Sequence, residues 1–245
     1  MRLWLLMVAI ALGALSARAQ LIDVNFYSAF YLGSAASGAA ATGAAGDIWN
    51  GINDDNVAGG PIYNLVDTTG TATPVSLSYN TDSTPSYGAV TSIIKNTQPN
   101  PVLMNNYLFN NTHGDITVTL QGLSDSTLYN LWLYVASCDA IGSDRAADLT
   151  ANSVFASATG TPEGNFDAGQ NYVLIQTTSS ASGTINITES DDSANTSGEV
   201  DLNGLQISSV PDLATTLPLL TISGLGLILF ARRTSKDMQA GGSVQ

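Results

Sequence analysis

Basic side chains are nearly missing from the middle of this sequence. Between Gln20 and Ser209 only Lys95 and Arg145 are positive, against 18 acidic residues, a formal charge of −16. Nucleic-acid binders need a basic patch, so that class is set aside. The same field repels anionic lipid and anionic polysaccharide. It suits neutral partners, solubility outside the cell, or weak divalent-cation binding. Histidine and cysteine are as scarce, with His113 and Cys138 the only examples. One of each cannot build a transition-metal cluster. A single cysteine also closes no intramolecular disulfide, although an oxidising compartment would permit one. Cys138 ends the apolar stretch Leu131 to Cys138, where a buried free thiol is the expectation. A reactive thiol would want His113 or a helix N-terminus beside it. The motifs G-x-S-x-G, H-E-x-x-H, C-x-x-C and the Walker A loop are absent from the sequence. Carboxylate pairs of the glycosidase type would arise by chance among so many acids. The expectation is a protein without catalytic activity or cofactor, with a glycan-active enzyme as the enzymatic alternative.

Long apolar runs occur only at the two ends. Arg2 precedes the apolar run Leu3 to Leu15, and Ala17-Arg18-Ala19 is an A-x-A cleavage site. This reads as a secretory signal peptide over 1–19, removed by signal peptidase. At the other end, Val210-Pro211-Asp212 precedes an uncharged run from Leu213 to Phe230, and Arg232, Arg233 and Lys236 follow. A helix over that run would be ~27 Å long, at the short end of the membrane-spanning range. The basic cluster would stay in the cytoplasm, with the body outside and 234–245 as a cytoplasmic tail.

The order of these parts resembles the PEP-CTERM family of bacterial sorting signals. More narrowly it is similar to the variant that begins Val-Pro-Asp-Ser-Gly. Val210, Pro211 and Asp212 match that variant, and Leu213 and Ala214 stand where Ser and Gly are expected. Phe230-Ala231-Arg232-Arg233 matches the closing pattern. The resemblance implies that an exosortase-type membrane protease recognises Val210-Pro211-Asp212 and removes the tail. The membrane helix would then anchor the protein only until processing, as with other removable tails. The protein would end at the cell surface or in the extracellular matrix.

The body, 20–209, is long enough for one domain with a sizeable core. Short strand signals, several of them alternating apolar and polar residues, dominate it. They are Leu21 to Phe26, Ile62 to Val66, Val75 to Tyr79, Ile116 to Leu120, Asn171 to Thr177, Gly183 to Thr188 and Leu202 to Ser208. Tyr129 to Val135 is more continuously apolar and reads as a central strand. Clusters of Gly, Pro, Asn, Asp and Ser separate these runs, as turns require. The pattern predicts an all-β fold, a single β-sandwich of jelly-roll or galactose-binding-like shape. Pro101 to Phe109 shows helical spacing and predicts one short helix over an end of the sandwich. The Ala/Gly/Ser-rich segment Gly33 to Gly46 has little to bury and predicts a surface loop.

The body also resembles the exported β-domains that often precede PEP-CTERM tails. The resemblance rests on Phe26, Gly46-Asp47-Ile48-Trp49-Asn50-Gly51, Leu103 to Leu108, Gln121-Gly122-Leu123, Tyr129-Asn130-Leu131 and Asn203-Gly204-Leu205-Gln206-Ile207. It implies a sandwich whose first and last strands lie close together, and it implies no activity. Two acidic stretches, Asn53 to Asn56 and Glu189 to Asp192, hold the hard oxygens that calcium prefers. Asp and Asn are ordinary turn residues, so two solvated turns are the expectation. Trp49 could stack on a sugar if exposed, and would be core if buried. These observations point to an exported envelope or matrix protein associated with exopolysaccharide, with a carbohydrate-binding module as the alternative.

Overall fold

In the computed structural model, the short strand runs of the sequence become paired strands. The structure describes residues 20–27, 34–53, 62–81, 100–110, 114–135, 145–160, 164–192, 195 and 197–211. Their strands form two main sheets. The first has five strands: β1 (Leu21–Tyr27), β2 (Trp49–Asn53), β7 (Leu128–Tyr134), β10 (Tyr172–Thr178) and β13 (Gly204–Ser209). Their order is β10-β7-β13-β1-β2. The second has six: β3 (Tyr63–Val66), β4 (Ala72–Thr81), β6 (Ile116–Gln121), β8 (Ala147–Ala151), β9 (Val154–Ala158) and β11 (Ile185–Asp191). Their order is β3-β4-β6-β11-β8-β9. A two-stranded ribbon joins β5 (Leu108–Asn110) to β12 (Val200–Leu202).

The two sheets face one another across a single apolar core. Ile22, Val24 and Phe26 of β1 meet Val118, Leu120 and Ile187 of the opposite sheet in that cluster. Burial alternates along β6 and β10, as a period of two demands. The fold is therefore all-β, with one helical turn among the described residues, α1 (Pro101–Met104). Deleting side chain from a position such as Leu131, fully buried here, would cost about 2–5 kcal/mol.

The first and last strands are neighbours. β1 pairs antiparallel with β13, and Leu21 lies opposite Ser208. Gln20–Val210 is one compact unit. The chain thus enters and leaves this unit at the same end of one strand pair. The Val210 amide donates to the Leu128 carbonyl at 2.9 Å, the last backbone bond of the unit along the chain.

Two expectations change. The helix is only Pro101–Met104, because Asn105 turns the chain out of it and Leu108 already pairs in β5. The Ala/Gly segment is not an idle surface loop. Residues 34–47 lie on the outer face of the five-stranded sheet, where Ala36 is buried beside Trp49, Leu103, Met104 and Tyr134. Small side chains allow this close approach rather than showing that nothing is covered.

Gly204 makes room for the same covering. A Cβ there would sit 2.3 Å from the Val24 carbonyl oxygen and 3.0 Å from Leu103 Cδ1. Asn203, fully buried, fixes the helix above it by donating to the carbonyls of Met104 and Asn106, both at 3.1 Å. Gly204→Ala is expected to lower stability by about 2–3 kcal/mol through overpacking. Gly46→Ala, where nothing lies within 4 Å of the new Cβ, is the neutral control. Urea unfolding midpoints of the two variants check this.

Candidate functional site

The outer face of the five-stranded sheet carries the densest polar and aromatic chemistry. Strand register sets Leu174, Trp132, Gln206, Asp23 and Trp49 in one row across five strands. The next row sets Tyr172, Tyr134, Gly204, Asn25 and Gly51 side by side. Phe166 closes on this second row, 5.3 Å from Tyr134 between ring centres, and Tyr172 stands 5.9 Å from Tyr134.

A relay of hydrogen bonds links the second row to the first. The Ala41 amide donates to the Tyr134 hydroxyl at 3.0 Å. That hydroxyl donates in turn to Gln206 Oε1. Gln206 Nε2 donates to Asp23 Oδ1 at 3.0 Å and to the Thr42 carbonyl at 3.3 Å. Asp23 is fully buried and its Oδ2 has no hydrogen-bond partner. Burial pushes its pKa up to about 7; the Gln206 bond opposes that rise and the nearby Asp47 charge adds to it. Burial also pushes the Tyr134 hydroxyl up, further from ionisation at neutral pH.

A carboxyl that titrates near neutrality is the usual equipment of an acid–base catalyst. Here it lies under the 34–47 segment, out of reach of a substrate atom. The segment is fastened over it by several bonds. Trp49 Nε1 donates to the Gly38 carbonyl at 2.8 Å, and the Ala36 amide donates to Asn25 Oδ1 at 2.9 Å. Asn100 Nδ2 reaches the carbonyls of Ser37 and Ala39, both at 3.3 Å. The arrangement clamps the covering segment and offers no open reaction centre.

A second polar cluster sits at one end of the sandwich interior. The inward alternation of β11 runs Ile185, Ile187, Glu189. Register places Glu189 between Ile116 of β6 and Leu149 of β8. Glu189 is fully buried, and burial drives its pKa well above the usual carboxylate value. The Asp201 charge raises it further, and the Asp201 backbone amide opposes the rise. Arg145 faces the same end. It pairs with Glu199, and its Nε stands 3.6 Å from Asp201 Oδ2. Asn195 braces the loop that carries Glu199, donating to the Ala146 and Glu199 carbonyls.

The predicted site residues fall in different places. Trp49 is 5% exposed, so the core reading applies and the possible glycan contact is corrected: no ring face is free for a sugar. Its neighbour Asn50 has an edge role instead, exchanging two hydrogen bonds with the Val66 backbone at 2.7 and 2.8 Å. Glu189 and Asp191 are strand residues, so Glu189 to Asp192 is not a solvated turn. Asn53 ends β2, and 54–56 lie outside the described residues. Among the described residues no group of three or more His, Cys, Asp or Glu could hold a metal ion. Of the processing motif, Val210 is half-buried and Pro211 exposed. Asp212, the run 213–230, Arg232, Arg233, the signal segment 1–19, Lys95, His113 and Cys138 lie outside the described residues.

No protein-family model matches the chain, and no curated protein matches it. Several solved structures do. One is the extracellular domain of ANXUR2 from Arabidopsis thaliana, with 12% identity and a TM-score of 0.43, covering 79% of this chain and 42% of that one. Another is the plant receptor-like kinase FER, with 16% identity and a TM-score of 0.41, covering 79% and 43%. A third is the plant peptide RALF23 in complex with FER and LLG2, with 14% identity, a TM-score of 0.42, and coverage of 80% and 41%. The chain spans less than half the length of these structures.

Proposed function

We propose that this chain is an exported, non-catalytic β-sandwich domain of jelly-roll or galactose-binding-like type. Its C-terminal segment would be a PEP-CTERM-like sorting signal, and its destination the cell envelope or extracellular matrix. One observation carries the reading. The compact unit starts at Gln20 and ends at Val210, with both ends on the paired strands β1 and β13. Cleavage after Ala19 and near Asp212 would therefore remove the two apolar segments without cutting a strand. Pro211 is exposed, as a protease recognition motif needs. The buried position of Asp23 beneath 34–47 supports a binding or structural role over catalysis.

The intact mass of the protein recovered from its native host tests this. The expected mass lacks 1–19 and everything beyond about Asp212. A mass that retains the C-terminal segment would make 213–230 a standing anchor and end the sorting reading.

A further inference from the structure

We infer that the outer face of the six-stranded sheet is a docking surface for a neutral polysaccharide. This rests on the exported-domain reading above and adds a ligand class and a place. Register sets Asn80, Thr117, Thr188, Thr150 and Phe155 in one row across five strands. The alternate residues of β6 and β11, Ile116, Val118, Ile185 and Ile187, are buried in the core, so this row faces outward. The adjacent row brings Thr119 and Asn186 together, with the Thr119 hydroxyl donating to Asn186 Oδ1 at 3.0 Å. Asn186 is exposed, and that bond engages its carbonyl oxygen rather than its amide donors. Phe155 ends the first row with 61% of its surface exposed.

Charge selects the occupant. A solvated sheet face ordinarily carries Lys, Glu, Asp or Arg at a quarter or more of its positions. In a body of formal charge −16, the six strands present one ionisable outward residue, Asp148 of β8. An uncharged polyhydroxyl chain lying on hydroxyls and amides desolvates no ion. A polyanion would still meet the field of the whole body. Four strand spacings of about 4.8 Å give the row a length of about 19 Å. That accommodates several pyranose units running across the strands, with the Phe155 ring as a platform for the apolar face of one of them.

Affinity electrophoresis of the full-length chain in mild detergent tests the surface. The gels contain mixed-linkage β-glucan, galactomannan or hydroxyethylcellulose, with alginate as the anionic comparison. At least one neutral glycan is expected to retard the protein, and alginate is not. Phe155→Ala and Asn186→Lys should each weaken that retardation at least tenfold without moving the unfolding temperature. Thr188→Lys, in the middle of the row, should abolish it. The proposal is overturned if none of the three neutral glycans retards the chain, or if Phe155→Ala and Asn186→Lys both behave as the parent. If the native mass shows processing at both ends and no glycan binds, the surface fails while the delivery reading stands. If a neutral glycan binds and the C-terminal segment is retained, the reverse holds.

Discussion

Asp23→Asn is expected to stabilise the protein by about 4 kcal/mol at pH 7.5 and to change little at pH 4. The sign follows from the two pKa values. Folding raises the Asp23 pKa from 3.8 to about 7. Between those values the folded chain keeps a proton that the unfolded chain has released, so stability falls as pH rises. Each pH unit costs about 1.4 kcal/mol, and the window spans about three units. Below it the carboxyl is neutral in both states and the cost vanishes. An asparagine is neutral throughout and can still accept from Gln206. For a domain of this size the gain corresponds to roughly 10 °C in unfolding temperature. Glu189, raised in the same direction, adds a slope of the same sign from about its unfolded pKa upward. Asp67 is lowered, to about 2, but it is only partly buried and solvent screens its contribution. The parent chain should therefore be more stable at pH 4.5 than at pH 7.5, the reverse of a protein held by ionised carboxylates. Urea midpoints across pH 4–8 for parent and variant measure this. A parent midpoint that climbs between pH 4 and 7 would show that Asp23 is ionised in the folded chain at little cost.

Why some of this was readable and some was not comes down to which local signal had a competitor. Ile116 to Leu120 alternates cleanly, and nothing else explains such a run; it became β6. The adjacency of β1 and β13 was expected only through resemblance. The hairpin of β8 and β9 was missed because Ala147–Ala151 and Val154–Ala158 are rich in alanine, a weak strand former. Its signal was the pair Asn152-Ser153, both with positive φ, which is the backbone of a two-residue primed turn. Glu189 was legible too. The alternation Ile185, Ile187 continues through it, so a period of two places it inward, but acidic composition suggested a turn. The Ala/Gly segment misled for the opposite reason. Its small residues gave no hydrophobic pattern, while the surface they cover was made by Asp23, Gln206, Trp49 and Tyr134, residues distant in sequence. The relay through Tyr134, Gln206 and Asp23 needs a sheet register that no local pattern states.

Arg145→Met should be among the most damaging single changes available in this domain, at about 3–5 kcal/mol. The Arg145 side chain is 9% exposed, and that of its partner Asp201 is 2% exposed. Among the described residues the guanidinium is the cation placed beside Glu199 and Asp201, with Glu189 close enough to Asp201 for their charges to interact. Removing it leaves carboxylates in a poorly solvated end of the sandwich, and they must take up protons or draw in water. The loss should consequently shrink as pH falls, since protonation then costs less. Arg145→Lys should recover only part of it, because an ammonium cannot serve two carboxylates with a planar fork. The informative comparison is a double-mutant cycle with Asp201→Asn. If Arg145 stabilises through charge, Asp201→Asn should offset much of the Arg145→Met loss, and the coupling should be larger at pH 8 than at pH 4. If the two losses simply add at both pH values, the Arg145 side chain acts by filling space, and the buried acids are neutral without it.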